Sequence, residues 1–547
     1  MSSRLRFLAG DPALRAALAP LLLDPAGSGG RLSVLREQPG HRRLLRAQLA
    51  SGDVVFLKHF ARGRHRVREA VKRALGLQAA RREWRALVSL HARGVVVPEP
   101  LALAALEGGD FVIATRFVAG RTLKQTFAEQ PTGRRALLHA VGDLVASLHA
   151  AGWAHGDLHH GNLLVGTGGV WLVDLQAALP LRATAARSRD LGELDHSLAG
   201  SLSLAERVRL RARALGLSRP FSADARRSLR AVGRASDARA RAYARSRTRR
   251  ARWPGRRYAR LRAGRREGLR LERIDEGVLL KALAAHQDAL AEGGPRVLKI
   301  GPRSSVTRVE VGGVRVVLKE WQRRGPWRLA ADRLRGTPAA RAWRSGVGLR
   351  ARRIGAAVPY AFLERRRLGL PVASWLLLED LWPALPADVA AGELDGPQVA
   401  DALAALLARL HRAGIRHGDL KASHVYLAAG DAGLEARLID LEGVRFQRRL
   451  PDRARIRELA QLNASLPDAL HDSIRCRAFE RYRSALPFRA PPQDCLRRIV
   501  EASLARAHRW SGRGCEIARP PSGAAAQRGA AERSSPKARN PGATPGS

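Results

Sequence analysis

The feature that most constrains this chain is a ten-residue segment that occurs twice. The first copy, HAAGWAHGDL, covers His149–Leu158, and the second, HRAGIRHGDL, covers His411–Leu420. Seven of the ten positions are identical, at an offset of 262 residues. A period of this length corresponds to a whole domain, because solenoid repeats are only about 20 to 50 residues long. The sequence therefore predicts a tandem duplication of an enzyme-sized unit.

Composition and cysteine content favour a cytoplasmic protein. The 547 residues are 45% hydrophobic, enough for two sizeable cores, and no apolar run is as long as a membrane-spanning helix requires. Asp11 and Arg15 interrupt what would be the apolar core of a signal peptide. The three cysteines are odd in number and lack a metal-ligand spacing, so we expect unpaired thiols in a reducing compartment.

The strongly positive net charge favours anionic partners. The formal net charge is +48, and 89 of the 97 basic residues are arginine, distributed along nearly the whole chain. A mutational bias toward arginine codons would give the same picture. No zinc-finger, homeodomain or RNA-recognition signature accompanies the charge, so we expect no dedicated nucleic-acid binding. The positive charge is compatible with an anionic substrate. It is also compatible with peripheral contact with an anionic membrane, at the inner face of the cytoplasmic membrane.

The repeat and the shifts in composition divide the chain into five parts. These are an N-terminal lead at 1–30, a first unit at 31–245, an Arg-rich linker at 246–274, a second unit at 275–512 and a disordered tail at 513–547.

Both units are predicted to have the same order of elements. A hairpin carries a lysine on its second strand, Lys58 in one unit and Lys319 in the other, 99 and 100 residues before Asp157 and Asp419. A helical segment, an apolar strand and then a helix-rich region with the repeated motif follow each hairpin. We therefore predict an α+β chain of two bilobal domains, each with a small antiparallel-sheet lobe and a helical lobe.

Three blocks in each unit resemble a protein-kinase-like fold. They are the strand lysine, an Arg-Glu-Trp or Arg-Ala-Trp helix, and His-Gly-Asp-Leu with a following Val-Asp-Leu or Ile-Asp-Leu. Among such proteins, the chain is most similar to the bacterial lipopolysaccharide kinases, the 3-deoxy-manno-octulosonic acid (Kdo) kinases and core heptose kinases. The resemblance implies ATP and Mg²⁺ as cofactors.

The resemblance also implies roles for particular residues, since phosphoryl transfer needs a cation on the nucleotide phosphates and carboxylates for metal and acceptor. Asp157 and Asp419 would orient the acceptor hydroxyl as catalytic carboxylates. The nucleotide-binding residues would be Lys58, Glu83 and Lys319, and the metal ligands Asn162, Asp174, His424 and Asp440.

The second unit departs from the general kinase pattern. Ala342 stands where the first unit has Glu83, so we expect Lys319 to lack the partner that Glu83 provides for Lys58. His424 stands where the first unit has Asn162, and a histidine at this position resembles the lipopolysaccharide kinases. The first unit, with its complete set, is the better candidate for activity. Neither unit has a clear Gly-rich phosphate loop; the best candidates are 38–43 and 301–305.

The sequence thus favours an ATP-dependent phosphotransferase acting on a sugar hydroxyl, of lipopolysaccharide core or a related envelope glycan, with at least one unit active. The partner would be a glycolipid or sugar acceptor. Two alternatives stay open: a protein kinase or small-molecule kinase of the aminoglycoside or choline type, and a pseudokinase scaffold with one or both units inactive.

Overall fold

Two units make up the chain, Met1–Ala242 and Tyr243–Ser547. They are seen in a computed structural model that describes residues 5–23, 30–38, 42–61, 78–106, 109–129, 133–218, 222–322, 325–430, 433–506 and 508–512. Each unit has a larger antiparallel sheet followed by a mainly helical region, so the predicted pair of bilobal domains is confirmed.

The first unit is built on a six-stranded antiparallel sheet in the order β1-β5-β6-β4-β3-β2. Short strands of the second lobe bracket two loops, 155–162 between β8 and β9 and 173–178 between β10 and β11. The strands are β1 (Leu5–Gly10), β2 (Leu32–Gln38), β3 (Arg42–Gln48), β4 (Val54–Phe60), β5 (Pro100–Leu106), β6 (Phe111–Arg116), β7 (Gly120–Thr122), β8 (Trp153–Ala154), β9 (Leu163–Gly166), β10 (Gly169–Leu172) and β11 (Leu179–Pro180).

Helices cover this sheet and form the second lobe. Helix α2 buries Ala86, Leu87 and Leu90 at helical spacing against the core, as its sequence pattern predicts. The helices are α1 (Pro12–Leu23), α2 (Ala79–His91), α3 (Leu123–Glu129), α4 (Arg134–Ala150), α5 (Thr184–Leu198), α6 (Leu204–Ala214) and α7 (Ala223–Arg250).

The second unit has a seven-stranded antiparallel sheet in the order β12-β13-β17-β18-β16-β15-β14. Its strands are β12 (Tyr258–Ala263), β13 (Arg266–Leu271), β14 (Val297–Ile300), β15 (Ser304–Val311), β16 (Val314–Gln322), β17 (Pro359–Arg367), β18 (Leu370–Glu379), β19 (Leu385–Pro386), β20 (Ile415–Arg416), β21 (Val425–Gly430), β22 (Gly433–Leu438) and β23 (Arg445–Phe446). Its helices are α8 (Glu276–Glu292), α9 (Pro326–Arg335), α10 (Pro338–Arg350), α11 (Ala387–Glu393), α12 (Gly396–Arg412), α13 (Asp452–Ser465), α14 (Asp472–Ala485) and α15 (Pro492–Leu504).

The Arg-rich segment 246–274 is folded, so its prediction as a linker is wrong. It contains the end of α7 and the two strands β12 and β13, and β13 pairs with β17 of the second unit's sheet. Leu261 and Leu269 on these strands are buried, whereas Arg260 and Arg262 are exposed. Leu269 packs in the main core of the second unit and Leu261 in a separate core cluster, because the two leucines lie on opposite faces of the sheet.

The N-terminal lead also belongs to the first unit. Strand β1 pairs with β5, and α1 buries Leu18 and Leu21 against the sheet. The predicted tail, 513–547, lies outside the described residues, as do residues 39–41 of the first candidate phosphate loop. The second candidate, 301–305, contains the hairpin turn from β14 into β15.

Across the described part of the chain, no helix combines the length and the apolar character needed to cross a membrane.

Candidate active sites

Lys58 lies in a buried cluster of charged groups in the first unit. It projects from β4, and its Nζ donates to Glu83 Oε1 and Oε2 at 2.8 and 2.7 Å and to Asp174 Oδ1 at 2.6 Å. Burial raises the pKa of Glu83, although Lys58 opposes the shift. Burial also acts to raise the pKa of Asp174, but the Lys58 ammonium reverses this and holds that pKa below its ordinary value. The structure thus brings together three of the residues selected from the sequence.

The loop that carries Asp157 is held by buried hydrogen bonds. Asp190, on α5, accepts the backbone N–H groups of His155 and Gly156 at 2.6 and 2.9 Å. The fully buried His155 donates from Nε2 to the Val173 carbonyl at 3.1 Å, which ties this loop to the loop of Asp174. These contacts leave the Asp157 carboxylate partly exposed at the surface of the site.

Asn162 continues the same loop and lies against the backbone of Asp157. Its Nδ2 donates to the Asp157 carbonyl at 2.9 Å. The side-chain oxygen is the atom that remains able to bind a cation, because the amide nitrogen is engaged as a donor.

In the second unit, Lys319 has a partner that the sequence expectation missed. Its Nζ donates to Asp440 Oδ1 and lies 3.3 and 3.2 Å from the two carboxylate oxygens of Glu442. The helix position of Ala342 indeed offers Lys319 no carboxylate, but Glu442 supplies a second one from another element. Burial acts to lower the pKa of Lys319, but Glu442 and Asp440 outweigh it and raise that pKa.

Asp419, His424 and Asp440 form a cluster that fits one divalent cation. Each offers a ligand atom, and these atoms all lie within 4.8 Å of one another. His424 Nδ1 donates to the Asp419 carbonyl at 2.7 Å. Because the neutral imidazole then carries its proton on Nδ1, Nε2 presents a lone pair, 3.7 Å from Asp440 Oδ2.

The loop of Asp419 is anchored as in the first unit. Glu458, on α13, accepts the N–H groups of His417 and Gly418 at 3.1 and 2.7 Å, and His417 Nε2 donates to the Ile439 carbonyl at 3.0 Å. Sequence analysis missed Asp190 and Glu458. A signal was present, because residues 189–198 and 457–466 read RDLGELDHSL and RELAQLNASL, a further repeated block.

A cleft of about 250 Å³ opens beside Lys319 between the sheet and the helical lobe of the second unit. Val306, Val317 and Leu376 contribute apolar walls, and Lys319, His424 and Asp440 line its polar end. An apolar slot that ends at cationic and metal-ligating groups suits a nucleotide, whose base is flat and whose phosphates are charged.

Backbone conformation is matched between the units at two points. Asp174 and Asp440 both have left-handed conformations, with φ of 62° and 57°. Gly156 and Gly418 also have positive φ, and a Cβ added at Gly156 would lie 2.3 Å from the Ala177 carbonyl oxygen. Such conformations are uncommon for residues other than glycine and cluster at functional sites.

Comparison with known proteins identifies the family. The lipopolysaccharide kinase (Kdo/WaaP) family matches the chain twice, over residues 29–213 and 302–480. The chain belongs to this family. The two matched regions cover both predicted units, so the chain is a tandem lipopolysaccharide-kinase protein, and this prediction is confirmed.

Individual relatives cover only part of the chain. A 3-deoxy-D-manno-octulosonic acid kinase of Xanthomonas axonopodis pv. citri (strain 306) is 35% identical over 150 residues, which are 26% of this chain and 60% of the relative. The kinase of the same description from Xanthomonas oryzae pv. oryzae (strain PXO99A) is 32% identical over 180 residues, 32% of this chain and 68% of the relative. The chain thus spans less than two thirds of the first of these.

A solved structure described as WaaP in complex with acyl carrier protein covers 40% of this chain and 90% of its own, with 21% identity and a TM-score of 0.29.

The two sites of this lipopolysaccharide-kinase protein differ in the side chain that lies near Asp174 in the first unit and near Asp440 in the second. In the first unit, Arg42 Nη1 lies 3.6 Å from Asp174 Oδ2, and its Nη2 donates to Gln176 Oε1 at 2.8 Å. Ser304 has the matching register in the second unit. A guanidinium therefore lies beside the aspartate of one site and is replaced by a hydroxyl in the other.

Proposed function

We propose that this protein is an ATP-dependent kinase that phosphorylates a sugar hydroxyl of lipopolysaccharide or a related envelope glycolipid. The observation that carries the proposal is the cluster of Asp419, His424 and Asp440 beside Lys319. The first unit has Lys58, Asp157, Asn162 and Asp174 at the corresponding positions, with asparagine in place of histidine. The relatives described as 3-deoxy-D-manno-octulosonic acid kinases support an octulosonic acid sugar as the acceptor. The reaction would take place on the cytoplasmic side of the membrane.

The side chains suit phosphoryl transfer, in which catalysis consists largely of positioning and charge neutralisation. Lys58 and Lys319 would neutralise nucleotide phosphates. The exposed carboxylates of Asp157 and Asp419 would orient the acceptor hydroxyl and take up its proton.

Residues in both units fit a magnesium ion. Asn162 and Asp174 would hold it in the first unit, and His424 and Asp440 in the second. When bound, the ion supplies positive charge to the phosphate oxygens. Asn162 and His424 each use one nitrogen to fix themselves to the backbone of the catalytic aspartate, so the remaining ligand atom of each is held in place.

Replacing Asp157 and Asp419 with Asn, separately and together, tests the proposal. We expect each single variant to lose the contribution of its own unit to phosphate transfer. In the double variant, the rate of phosphate transfer from ATP to an octulosonic acid glycolipid should fall by about 10²- to 10⁴-fold. The measurement is radiolabel transfer from ATP to the extracted glycolipid. Asp237→Asn and Asp288→Asn, which change exposed aspartates elsewhere in each unit, are the matched controls. Undiminished transfer by the double variant would overturn the kinase assignment.

We also propose that an anionic membrane surface contacts the second unit at its Arg-rich strands. A cavity of about 510 Å³ there is lined by Trp253 and by Arg252, Arg260 and Arg265 among other residues. These three arginines form no ion pair within the described residues, whereas the neighbouring Arg262 and Arg366 pair with glutamates. Trp253 is 69% exposed. Arginine combined with an exposed tryptophan suits the headgroup region of an anionic bilayer.

Vesicle binding tests this contact. Changing Arg252, Arg260 and Arg265 together to Glu should weaken binding to phosphatidylglycerol vesicles by about 100-fold, since each basic side chain near such a surface contributes about 1 kcal/mol. Co-sedimentation with phosphatidylglycerol and with phosphatidylcholine vesicles measures it. The exposed arginines 226, 230 and 241 of α7, also changed to Glu, provide a control with the same change in net charge. If both triple variants lose binding equally, net charge and not this cavity determines the contact.

A further inference from the structure

Each unit sets one lysine, buried in the first unit and 18% exposed in the second, against two carboxylates, but the second carboxylate comes from a different element. In the first unit it is Glu83 on α2, and in the second it is Glu442 on the loop that follows Asp440. The position that Glu83 occupies holds Ala342 in the second unit. The position that Glu442 occupies, two residues after the metal-binding aspartate, holds Gln176 in the first unit.

We propose that these two positions have exchanged roles, and that Glu442 is the positioning residue for the nucleotide-binding lysine of the second unit. The proposal rests on the proposed kinase function and deepens it. It assigns Glu442 the role that Glu83 has in the first unit and removes Ala342 as a reason to regard the second unit as inactive.

Charge balance supports the exchange. In both units the lysine, the aspartate and the two exchanged positions together hold one cation and two carboxylates. A buried ammonium is costly unless it is paired, and one of its two partners, the aspartate, is also the residue that would bind a metal ion. The second carboxylate therefore keeps the lysine paired when the aspartate turns to the metal.

Packing around the exchanged positions agrees with this assignment. Ala342 is 1% exposed and lies in the main core of the second unit, so this helix position offers Lys319 no polar side chain. Glu442 places both carboxylate oxygens at 3.2 to 3.3 Å from Lys319 Nζ, as Glu83 places both of its oxygens at 2.7 to 2.8 Å from Lys58 Nζ. Arg341 Nε donates to the Glu442 carbonyl at 3.4 Å, and its Nη1 donates to the Gly336 carbonyl at 2.7 Å, so α10 supports the loop in place of supplying the carboxylate.

The exchange has a consequence for how each site is assembled. In the first unit Lys58 is positioned only while α2 keeps Glu83 at the cluster. In the second unit the carboxylate and the metal-binding aspartate share one loop, so positioning of Lys319 does not require a side chain from the helix.

Exchanging the residues back tests the proposal in the full-length protein. In an Asp157→Asn background, where only the second unit transfers phosphate, Glu442→Gln should reduce kcat/KM for ATP by about 100-fold. Adding Ala342→Glu to Glu442→Gln should recover about tenfold or more of that loss. Glu435→Gln, on β22 away from the cluster, is the control. Recovery through a second site distinguishes positioning of the lysine from a general loss of folding.

The reciprocal variants test the first unit in an Asp419→Asn background. Glu83→Ala should reduce kcat/KM for ATP, and Glu83→Ala with Gln176→Glu should recover part of it. Affinity for a non-hydrolysable ATP analogue with Mg²⁺, measured by calorimetry in the same variants, tests the exchange without relying on transfer. Full activity and nucleotide affinity in Glu442→Gln, or no recovery by Ala342→Glu in a folded protein, would overturn the exchange. Undiminished transfer when Asp157 and Asp419 are both replaced would instead overturn the kinase function.

Discussion

Asn162 and His424 show how two unlike side chains can serve one purpose. Each donates a nitrogen-bound hydrogen to the backbone carbonyl of the aspartate five residues earlier, Asp157 or Asp419, at 2.9 and 2.7 Å. Each then has one atom with a lone pair left, an amide oxygen or an imidazole nitrogen. The substitution of histidine for asparagine therefore preserves the geometry of the loop and changes only the chemistry of the ligand atom.

Glu193 lies next to Asp157 and titrates in a range in which its counterpart beside Asp419, Gln461, does not titrate. Burial, with the nearby Asp157, raises the pKa of Glu193 to about 7, although Arg239 opposes the shift. Below that pH the protonated Glu193 donates a hydrogen bond to the Asp157 carboxylate. At the equivalent place in the second unit, Gln461 Nε2 donates to Asp419 Oδ1 at 2.8 Å at any pH.

We expect phosphate transfer by the first unit, measured with Asp419→Asn, to increase as the pH rises through about 7, because ionised Glu193 releases the carboxylate oxygen that receives the acceptor proton. Glu193→Gln should remove this increase in transfer with pH. Gln461→Glu in the second unit should create a similar increase in transfer by that unit. A pH profile of the first unit that is the same with and without Glu193→Gln would contradict this role.

At the scale of elements, the strands β12 and β13 show where the sequence pattern failed to predict secondary structure. Tyr258, Leu261 and Leu269 are apolar or aromatic residues that the strands bury, but arginine so dominates residues 246–274 that charge repulsion was the simpler interpretation of the sequence. The hairpins of Lys58 and Lys319 were predicted correctly because their apolar residues and turn glycines are not obscured by charge.

The strand assignment makes a prediction about stability. Leu261 is 1% exposed and packs in the core of the second unit's sheet, so Leu261→Ala should lower the free energy of unfolding by about 2 to 5 kcal/mol. Arg262→Ala, one residue away and exposed, should change it by less than about 0.5 kcal/mol. Urea denaturation followed by tryptophan fluorescence, which reports the buried Trp375 of the same core, measures both. Two equally neutral substitutions would mean that this segment does not form part of the core.

At the scale of the whole molecule, duplication made the family and the bilobal fold predictable, since each unit supports the interpretation of the other. The expectation that Lys58 and Asp174 belong to one site followed from the resemblance to kinases, and the structure pairs them directly. The role of Glu442 was not predicted from the sequence. Aligning the two units at the helix position shows that the glutamate is missing at Ala342, but it does not show that another glutamate takes its place on a different element. Compensation between distant positions becomes visible only when side chains are placed in space.

The pairing of Lys319 with Glu442 also constrains the history of the two copies. A chain with neither glutamate would leave a buried ammonium with only the aspartate that must also serve the metal, whereas a chain with both would merely add a carboxylate. If the two copies derive from one unit, an intermediate that carried both acids would keep the lysine paired throughout, whereas an intermediate with neither would not.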